Sequence, residues 1–467
     1  MRFTKFGKAL AMGALTAGII YGVTSCDESY TVGYLYVTGT VTASSGNNGI
    51  ITGFKIDHNT GHLWTVNGTP VATGGSNPVR AVLTVNSRFI YVLNRGTNSA
   101  GNGDCTLTDP CQNANITQFA VGGNGVLTYE DTFYTQGIDP FRLLADASGN
   151  YLLALDHDAP DNNNPSATDN CARALGALGS GSAVETCGDV TIFQINQNTG
   201  RLSLVLNQQV TDINNNPLTY FPVPSNPVDF AFSGGYLLTL TGAPGPSSSS
   251  YPYTGGTQVW PYTYLTTTGQ LQLSQNGVQQ LGISQGTAIV NTNNVVYVLD
   301  NEPVTITAGS GSPFPAAAYA SQILPWTVTT GGALEAETSG IIPDDGAQDL
   351  SNPIAILLES KSKYLYVANQ GNNTTGSNAG SGIAGYVINV PYQPTFIPEE
   401  PFGSGSGPQC IVEDPSDQYV YEANLYSNNV TGREIDPNSG DLNDLRTTET
   451  YSLEGPGTWC LIDGRTD

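Results

Sequence analysis

Three histidines, His58, His62 and His157, carry all the imidazole chemistry of this 467-residue chain. His157 stands in LALDHDAPDNNNPSATDN beside Asp156, Asp158 and Asp161, where an imidazole among carboxylates could serve as a general base. The same run, continued by Asn163 and Asp169, offers the hard oxygen donors that calcium prefers. It lacks the fixed order of an EF-hand loop. Calcium through Asp156, Asp158 and Asp161 is one reading of it, and an acidic loop that keeps the surface hydrated is the other. His58 and His62 flank a Thr60-Gly61 turn and read as solvated turn residues, since a spacing of four makes a metal pair only on a helix. Two arginines and an aspartate occupy one recurring position: Arg80 in NPVRAVL, Arg142 in DPFRLLA and Asp229 in NPVDFAF. A guanidinium there could hold a developing oxyanion; a salt bridge between neighbouring segments accounts for the same residues. The chain has no Cys-x-x-Cys-His, no phosphate-cradling glycine motif and no Gly-x-Ser-x-Gly elbow, so no cofactor is required.

The elements that must position these residues repeat. A short apolar run recurs as YLYVTG at Tyr34, FIYVLN at Phe89, YLLALD at Tyr151, YLLTLT at Tyr236, VYVLDN at Val296, YLYVAN at Tyr364 and YVYEAN at Tyr419. After each comes a segment such as ITGFKIDHNTGHL or VTIFQINQNTGRL, which reads as a strand, a tight turn with Gly in the left-handed region, and a further strand. From the second copy on, a third element precedes the run: NPVRAVLTVN, DPFRLLADAS, NPVDFAFSGG, GTAIVNTNN, NPIAILLESK and GPQCIVEDPS. The first copy lacks it, and GPGTWCLIDG at Gly455 has the form to supply it from the far end of the chain. The pattern predicts an all-β fold, a seven-bladed β-propeller of four-stranded blades. Its ring is closed by the C-terminal strand completing the first blade, which removes exposed sheet edges. With strands counted outward from the hub, the first-to-second and third-to-fourth connections are short. The long segments, 94 to 115, 156 to 189, 207 to 226, 241 to 257, 300 to 320, 337 to 352 and 369 to 382, all open on one face. Function is expected on that elaborated face, and the other is plain.

Composition agrees with short strands and many turns: 55 Gly, 28 Pro, 24 Tyr and only 12% charged residues. A formal net charge of -24 opposes binding to phosphate backbones, so nucleic acid is excluded as a partner. Arg2, Lys5 and Lys8 precede the apolar run ALAMGALTAGIIYG, the layout of an export leader. That leader ends in VTSC, which resembles a bacterial lipobox with Cys26 as the lipidated residue. The predicted organisation is therefore a signal peptide over 1–26, a tether over 27–33 and a single propeller domain over 34–467. Setting Cys26 aside leaves six cysteines, an even number in an exported chain. The repeat places Cys105 with Cys111 and Cys171 with Cys187 inside successive long loops. Cys410 and Cys460 fall on neighbouring hub strands, where a bridge would lock the ring.

The repeated YLYVAN and IDxxTGxL elements resemble those of the YVTN-type seven-bladed propellers, a lactonase-like group that includes 6-phosphogluconolactonase-like and cycloisomerase-like enzymes. The resemblance covers nearly everything after Tyr30, and its motifs specify fold better than activity. Enzymes of that group often place a His directly after the Pro that opens the innermost strand. Here those positions are Val79, Phe141, Val228, Ile354 and Gln409. The expected function is an exported, lipid-anchored monomeric propeller that binds a small molecule, a glycan or an envelope protein on its long-loop face. What the resemblance implies as an alternative is a lactonase, a carboxylic ester hydrolase opening a sugar-type lactone, with His157 or a neighbouring Asp as base and Arg142 or Arg80 as the stabilising cation. A cell-surface scaffold is the third reading.

Overall fold

A computed structural model describes residues 30–464 apart from 44–45, 104, 107–108, 161–186, 225, 243–256, 275–278, 281–284, 293–294, 338–341, 373–378 and 389–393. Its strands form seven antiparallel blades arranged in a ring. The innermost strands of blades 2 to 7 are Pro78–Leu83, Ile138–Ala145, Pro227–Ser233, Gly286–Thr292, Pro353–Leu358 and Val412–Glu413. Blade 1 takes its innermost strand from the other end of the chain: Gly457–Asp463 pairs antiparallel with Thr31–Ala43, from Tyr34 opposite Asp463 to Gly39 opposite Gly457. The sequence therefore predicts the closure correctly.

The second strands are the apolar runs. Phe89–Asn94, Val295–Asp300, Tyr364–Asn369 and Tyr419–Asn424 are buried at every residue because a neighbouring blade covers each face. The core is accordingly divided. One apolar cluster lies in each of the seven gaps between adjacent blades, including the gap between blades 7 and 1, where Tyr421, Ala423 and Val430 meet Leu35, Val37 and Phe54.

The repeated Tyr and the repeated turn Gly are two halves of one joint between blades. Tyr36 Oη donates to the carbonyl of Gly125 in the next blade at 2.9 Å, Tyr91 to Gly200 at 2.5 Å, Tyr366 to Gly440 at 2.7 Å, and Tyr421 to Gly61 across the closure at 2.7 Å. At Gly440 two requirements coincide: φ is 83°, and a Cβ would lie 2.4 Å from the Tyr364 ring. Only glycine fits such a position.

The long connections carry more structure than a loop reading implies. Asn207–Thr211 pairs with Pro217–Leu218, and Val304–Thr305 with Ala318–Tyr319, as small hairpins. Within 207 to 226 and 337 to 352, Tyr220–Pro224 and Ile342–Pro343 run along the third strands of blades 3 and 5. Those strands extend beyond the short outermost strand, and the second segment satisfies the remaining backbone edge.

Candidate functional site

All seven innermost strands enter from the elaborated face, and six of them slip register by one residue as they do so. Pro78 faces Asn94 while Arg80 faces Leu93, so Val79 is unopposed; the same bulge occurs at Phe141, Val228, Thr287, Ile354 and Thr458. A bulge bends the strand and re-aims the side chain that follows it. Here the following residues are Arg80, Arg142, Asp229, Ala288, Ala355 and Trp459, so these positions form a charged sector from blades 2 to 4, flanked by the Trp459 ring of blade 1, and an apolar sector from blades 5 and 6.

Within the charged sector Arg142 and Asp229 form the salt bridge that the sequence permits. Arg142 Nε donates to Asp229 Oδ1 at 3.1 Å, and Asp229 Oδ2 accepts the Ile289 N–H at 3.0 Å. Arg80 does something else. Its guanidinium lies 3.5 Å above the Trp459 ring of the closing strand, a cation-π contact that holds the group by its face and leaves its edge free to donate. Among the described residues it has no hydrogen-bond or ion-pair partner. Burial, and then the charge of Arg142, push its pKa below the usual guanidinium range, while Asp229 opposes the shift.

His157 lies within the second strand of blade 3, Tyr151–Asp158, rather than in the loop after it. Its ring stacks on Phe141 with centroids 3.8 Å apart, and Phe141 is the bulge residue that precedes Arg142. Burial, reinforced by Arg95 and Arg142, lowers its pKa to about 3, so the imidazole is neutral in ordinary conditions. Its Nδ1 is buried and has no hydrogen-bond partner among the described residues. Arg142 is thus bonded to Asp229 and lies within electrostatic reach of both Arg80 and His157, so the four residues share one neighbourhood, with His157 set behind Phe141.

Two participants escape sequence reasoning. Arg95 donates from Nε and Nη2 to the two oxygens of Asp139 at 2.5 and 2.9 Å, and Asp139 sits at a φ of 59° directly before Pro140. Arg95 belongs to no repeated motif, and Asp139 stands where blades 2, 4 and 6 carry Asn77, Asn226 and Asn352, all at positive φ, a position that signals a turn rather than an ion pair. Trp459 was within reach, because it occupies in the closing strand the register position that Arg80 occupies in blade 2.

Asp156 and Asp158 diverge. Asp158 ends the strand, half-buried, whereas Asp156 is fully buried and faces Asp189 across the ladder. Asp161, Asn163 and Asp169 lie outside the described residues, as do Cys26 and Cys171. The Asp156 site has counterparts that explain it. In blades 2 and 7 the second strand ends in Asn94 and Asn424, whose Nδ2 donates to Asn115 and Asn429 at 2.8 and 3.0 Å and to Thr117 and Thr431 at 3.3 and 3.0 Å. In blade 3 the two amides are replaced by the carboxyls of Asp156 and Asp189, with Thr191 in the threonine position and Thr135 Oγ1 donating to Asp156 at 2.7 Å. Burial raises both carboxyls and carries Asp156 to about 8, so the pair holds a proton at neutral pH. Among the described residues, the metal-ligating side chains that converge in threes are Cys105, Cys111 and Asp139, and both thiols are committed to a disulfide.

Two disulfides stand where the repeat puts them: Cys105 with Cys111 at a Cα separation of 5.3 Å, and Cys410 with Cys460 at 5.8 Å across the closure between blades 7 and 1. Cys187 is buried on the third strand of blade 3 and is also disulfide-bonded.

Seven four-stranded blades, a strand exchanged between the chain ends and a charged hub mouth define a lactonase-like seven-bladed β-propeller. Residues 319–459 match the family described as Lactonase, 7-bladed beta-propeller. Solved structures similar to the whole chain include the periplasmic gluconolactonase of Pseudomonas aeruginosa, with 15% identity, TM-score 0.59, and coverage of 92% of this chain and 99% of that one. A candidate 6-phosphogluconolactonase from Bacteroides fragilis has 14% identity, TM-score 0.58, and coverage of 94% and 99%. A second candidate, from Bacteroides uniformis, has 16% identity, TM-score 0.57, and coverage of 92% and 100%. At these identities the likeness is one of fold. No curated protein matches the chain.

Proposed function

We propose that the protein is an exported, lipid-anchored propeller that binds a small oxygen-rich ligand, one bearing a carboxylate or a lactone carbonyl, at the hub mouth on its long-loop face. The observation that carries this reading is Arg80, a half-buried guanidinium that lies over Trp459 and has no acceptor among the described residues. A group that gives up solvation without a partner is stabilised by a ligand that supplies one. Arg142 and Asp229 beside it can exchange hydrogen bonds with hydroxyls, and neutral His157 accepts rather than repels. The apolar sector, with Ala288 and Ala355, suits the carbon face of a sugar. Export is supported by the leader, by the VTSC sequence ending in Cys26, and by the disulfides.

A second reading, hydrolysis of a sugar-type lactone, is favoured by the juxtaposition of Arg80, which has no ion-pair partner among the described residues, with the carboxylate of Asp229. Water would add to the lactone carbonyl and give its proton to Asp229 or His157. Arg80 would hold the oxyanion, and collapse would release the ring oxygen as a hydroxyl and the acid as a carboxylate. The family match and the gluconolactonase fold support this reading at the level of class. The test is titration calorimetry of the domain after Cys26 with gluconate, galactonate and their lactones, alongside a lactone hydrolysis assay. Binding that disappears in Arg80→Ala supports the first reading, and turnover above background that disappears in the same variant supports the second. A folded protein that binds neither class overturns both.

A further inference from the structure

The chain enters the propeller on the plain face. Its first strand, Thr31–Ala43, runs from that face toward the elaborated one, because it turns into the third strand of the same blade on the long-loop side. Tyr30 therefore lies at the plain face, and its backbone carbonyl accepts the N–H of His58 at 3.0 Å, in the short turn between the third and fourth strands. Tyr30 follows Cys26 by four positions, with three residues between them, and an extended chain over that span reaches at most roughly 14 Å. This distance is less than half the width of a domain of this size, so a lipid on Cys26 fixes which face meets the bilayer.

The surface around this entry point carries exposed aromatic rings. Tyr30, 51% exposed, stacks on His58 with centroids 4.4 Å apart; Trp64, 60% exposed, is the second residue of the outermost strand, Leu63–Thr65, and packs edge-on against His62. On the same face of the next blade Val85, 68% exposed, opens a turn that also presents Arg88. Tyr and Trp beside His and Arg, at the end of a short tether, form the residue set that settles at the headgroup level of a membrane.

We propose that the plain face around Tyr30, Trp64 and Val85 rests on the bilayer that holds the Cys26 anchor, so that the hub mouth opens away from the membrane. This inference rests on the lipid anchoring named under the proposed function and adds an orientation to it. The lipid holds the protein at the membrane without fixing its tilt, and a docked aromatic surface keeps the tether from swinging the mouth into the lipid.

The experiment uses the full chain, matured in a bacterial host and reconstituted into phosphatidylcholine vesicles with brominated acyl chains, which quench tryptophan near the headgroups. Mass spectrometry and flotation first establish whether Cys26 is acylated and whether the protein travels with the vesicles. Acylated, floating protein should lose tryptophan emission relative to unbrominated vesicles, and Trp64→Phe should abolish that loss while still floating. Equal quenching of the two proteins, or none in either, overturns the docking although the anchor stands. Absence of acylation on Cys26 overturns the anchor and the docking together. Trp64 is solvent-exposed, so the variant retains the fold, and a cysteine introduced at Val85 offers a second readout. A maleimide too large to enter the interface should label it several-fold more slowly on vesicles than in the Cys26→Ser protein.

Discussion

At the scale of single residues, the informative contrast is between two arginines that the sequence presents as equivalents. Arg80 and Arg142 occupy the same register position, after the same bulge, and differ only in what the neighbouring blade supplies: Asp229 to Arg142, the Trp459 ring to Arg80. A salt bridge between blades was legible from the sequence, and it describes Arg142. It does not describe Arg80, because the closing strand brings Trp459 from 379 residues away along the chain, a neighbour relation no local motif encodes. Charge-assisted hydrogen bonds contribute about 1.5 to 3 kcal/mol, so Arg80→Ala is expected to weaken binding of a carboxylated ligand about 10- to 100-fold in calorimetry. Its melting temperature should stay near that of the parent. Arg80→Lys should fall between the two, because it keeps the charge and loses the planar fork. A large loss of stability in Arg80→Ala would mark the residue as structural. Glu422 makes the opposite case. It is buried between blades 6 and 7, neither carboxyl oxygen has a hydrogen-bond partner among the described residues, and burial raises it to about 8 against the pull of Arg433. Its folded-state pKa is above its unfolded value, so the folded state loses stability as pH rises from the ordinary carboxylate range toward 8. Glu422→Gln is therefore expected to equal the parent near pH 4 and to exceed it by several degrees in melting temperature at pH 8. A constant offset across that range would show that the carboxyl does not titrate in the folded protein.

At the scale of the element, the tops of blades 2, 3 and 7 are tied by side-chain latches, and that of blade 3 differs in chemistry from the other two. The amide pair of Asn94 with Asn115 is neutral at every pH, whereas the carboxyl pair of Asp156 with Asp189 must retain a proton to stay closed. The pair lies under the connection that leads into Ile138–Ala145: Thr135 and the Gln136 N–H bond into it, and a Cβ on Gly137 would lie 2.2 Å from Asp189 Oδ2. Asp139 and Asp158 add negative charge on the same side. Both folded-state pKa values are raised, so the latch is fully favourable in acid and loses stability as pH climbs through about 8. Each group contributes up to about 1.4 kcal/mol per pH unit inside that window. The double variant Asp156→Asn with Asp189→Asn recreates the latch of blades 2 and 7. In urea melts from pH 5 to pH 8.5, its advantage over the parent should grow with pH, and parallel curves would mean that the pair shares no proton. From the sequence Asp156 looked like one carboxylate of an acidic loop. The strand runs two residues further than the apolar pattern suggests, and the partner Asp189 is separated from it by a long insertion.

At the scale of the whole molecule, nearly all of the architecture was readable and little of the chemistry. Strand, turn and blade come from residues repeated seven times, and the Tyr-to-Gly joint between blades is itself made of the two most conspicuous letters of the repeat. The hub mouth is built from the positions where the copies differ, so a repeat can announce its location and not its content. The closure is the exception, because it was visible as a missing element at one end and a spare one at the other. Ring closure also decides how the molecule fails. The closing strand is held by its ladder with Thr31–Ala43 and by the Cys410–Cys460 bridge, which is buried among Val37, Tyr421 and Ala423 and spans 50 residues. Chain-closure entropy gives such a bridge about 4 kcal/mol, through restriction of the unfolded chain. Its removal by Cys410→Ala with Cys460→Ala leaves the ladder intact and small apolar side chains in an apolar site. The variant should therefore fold to the same ring but melt several degrees lower. Hydrogen exchange should locate the loss: amides of Gly457–Asp463 and of the first blade should exchange faster, while blades 3 to 5 keep their protection. Uniform acceleration around the ring would show that the seven blades unfold as one cooperative unit in which closure has no separate weak point.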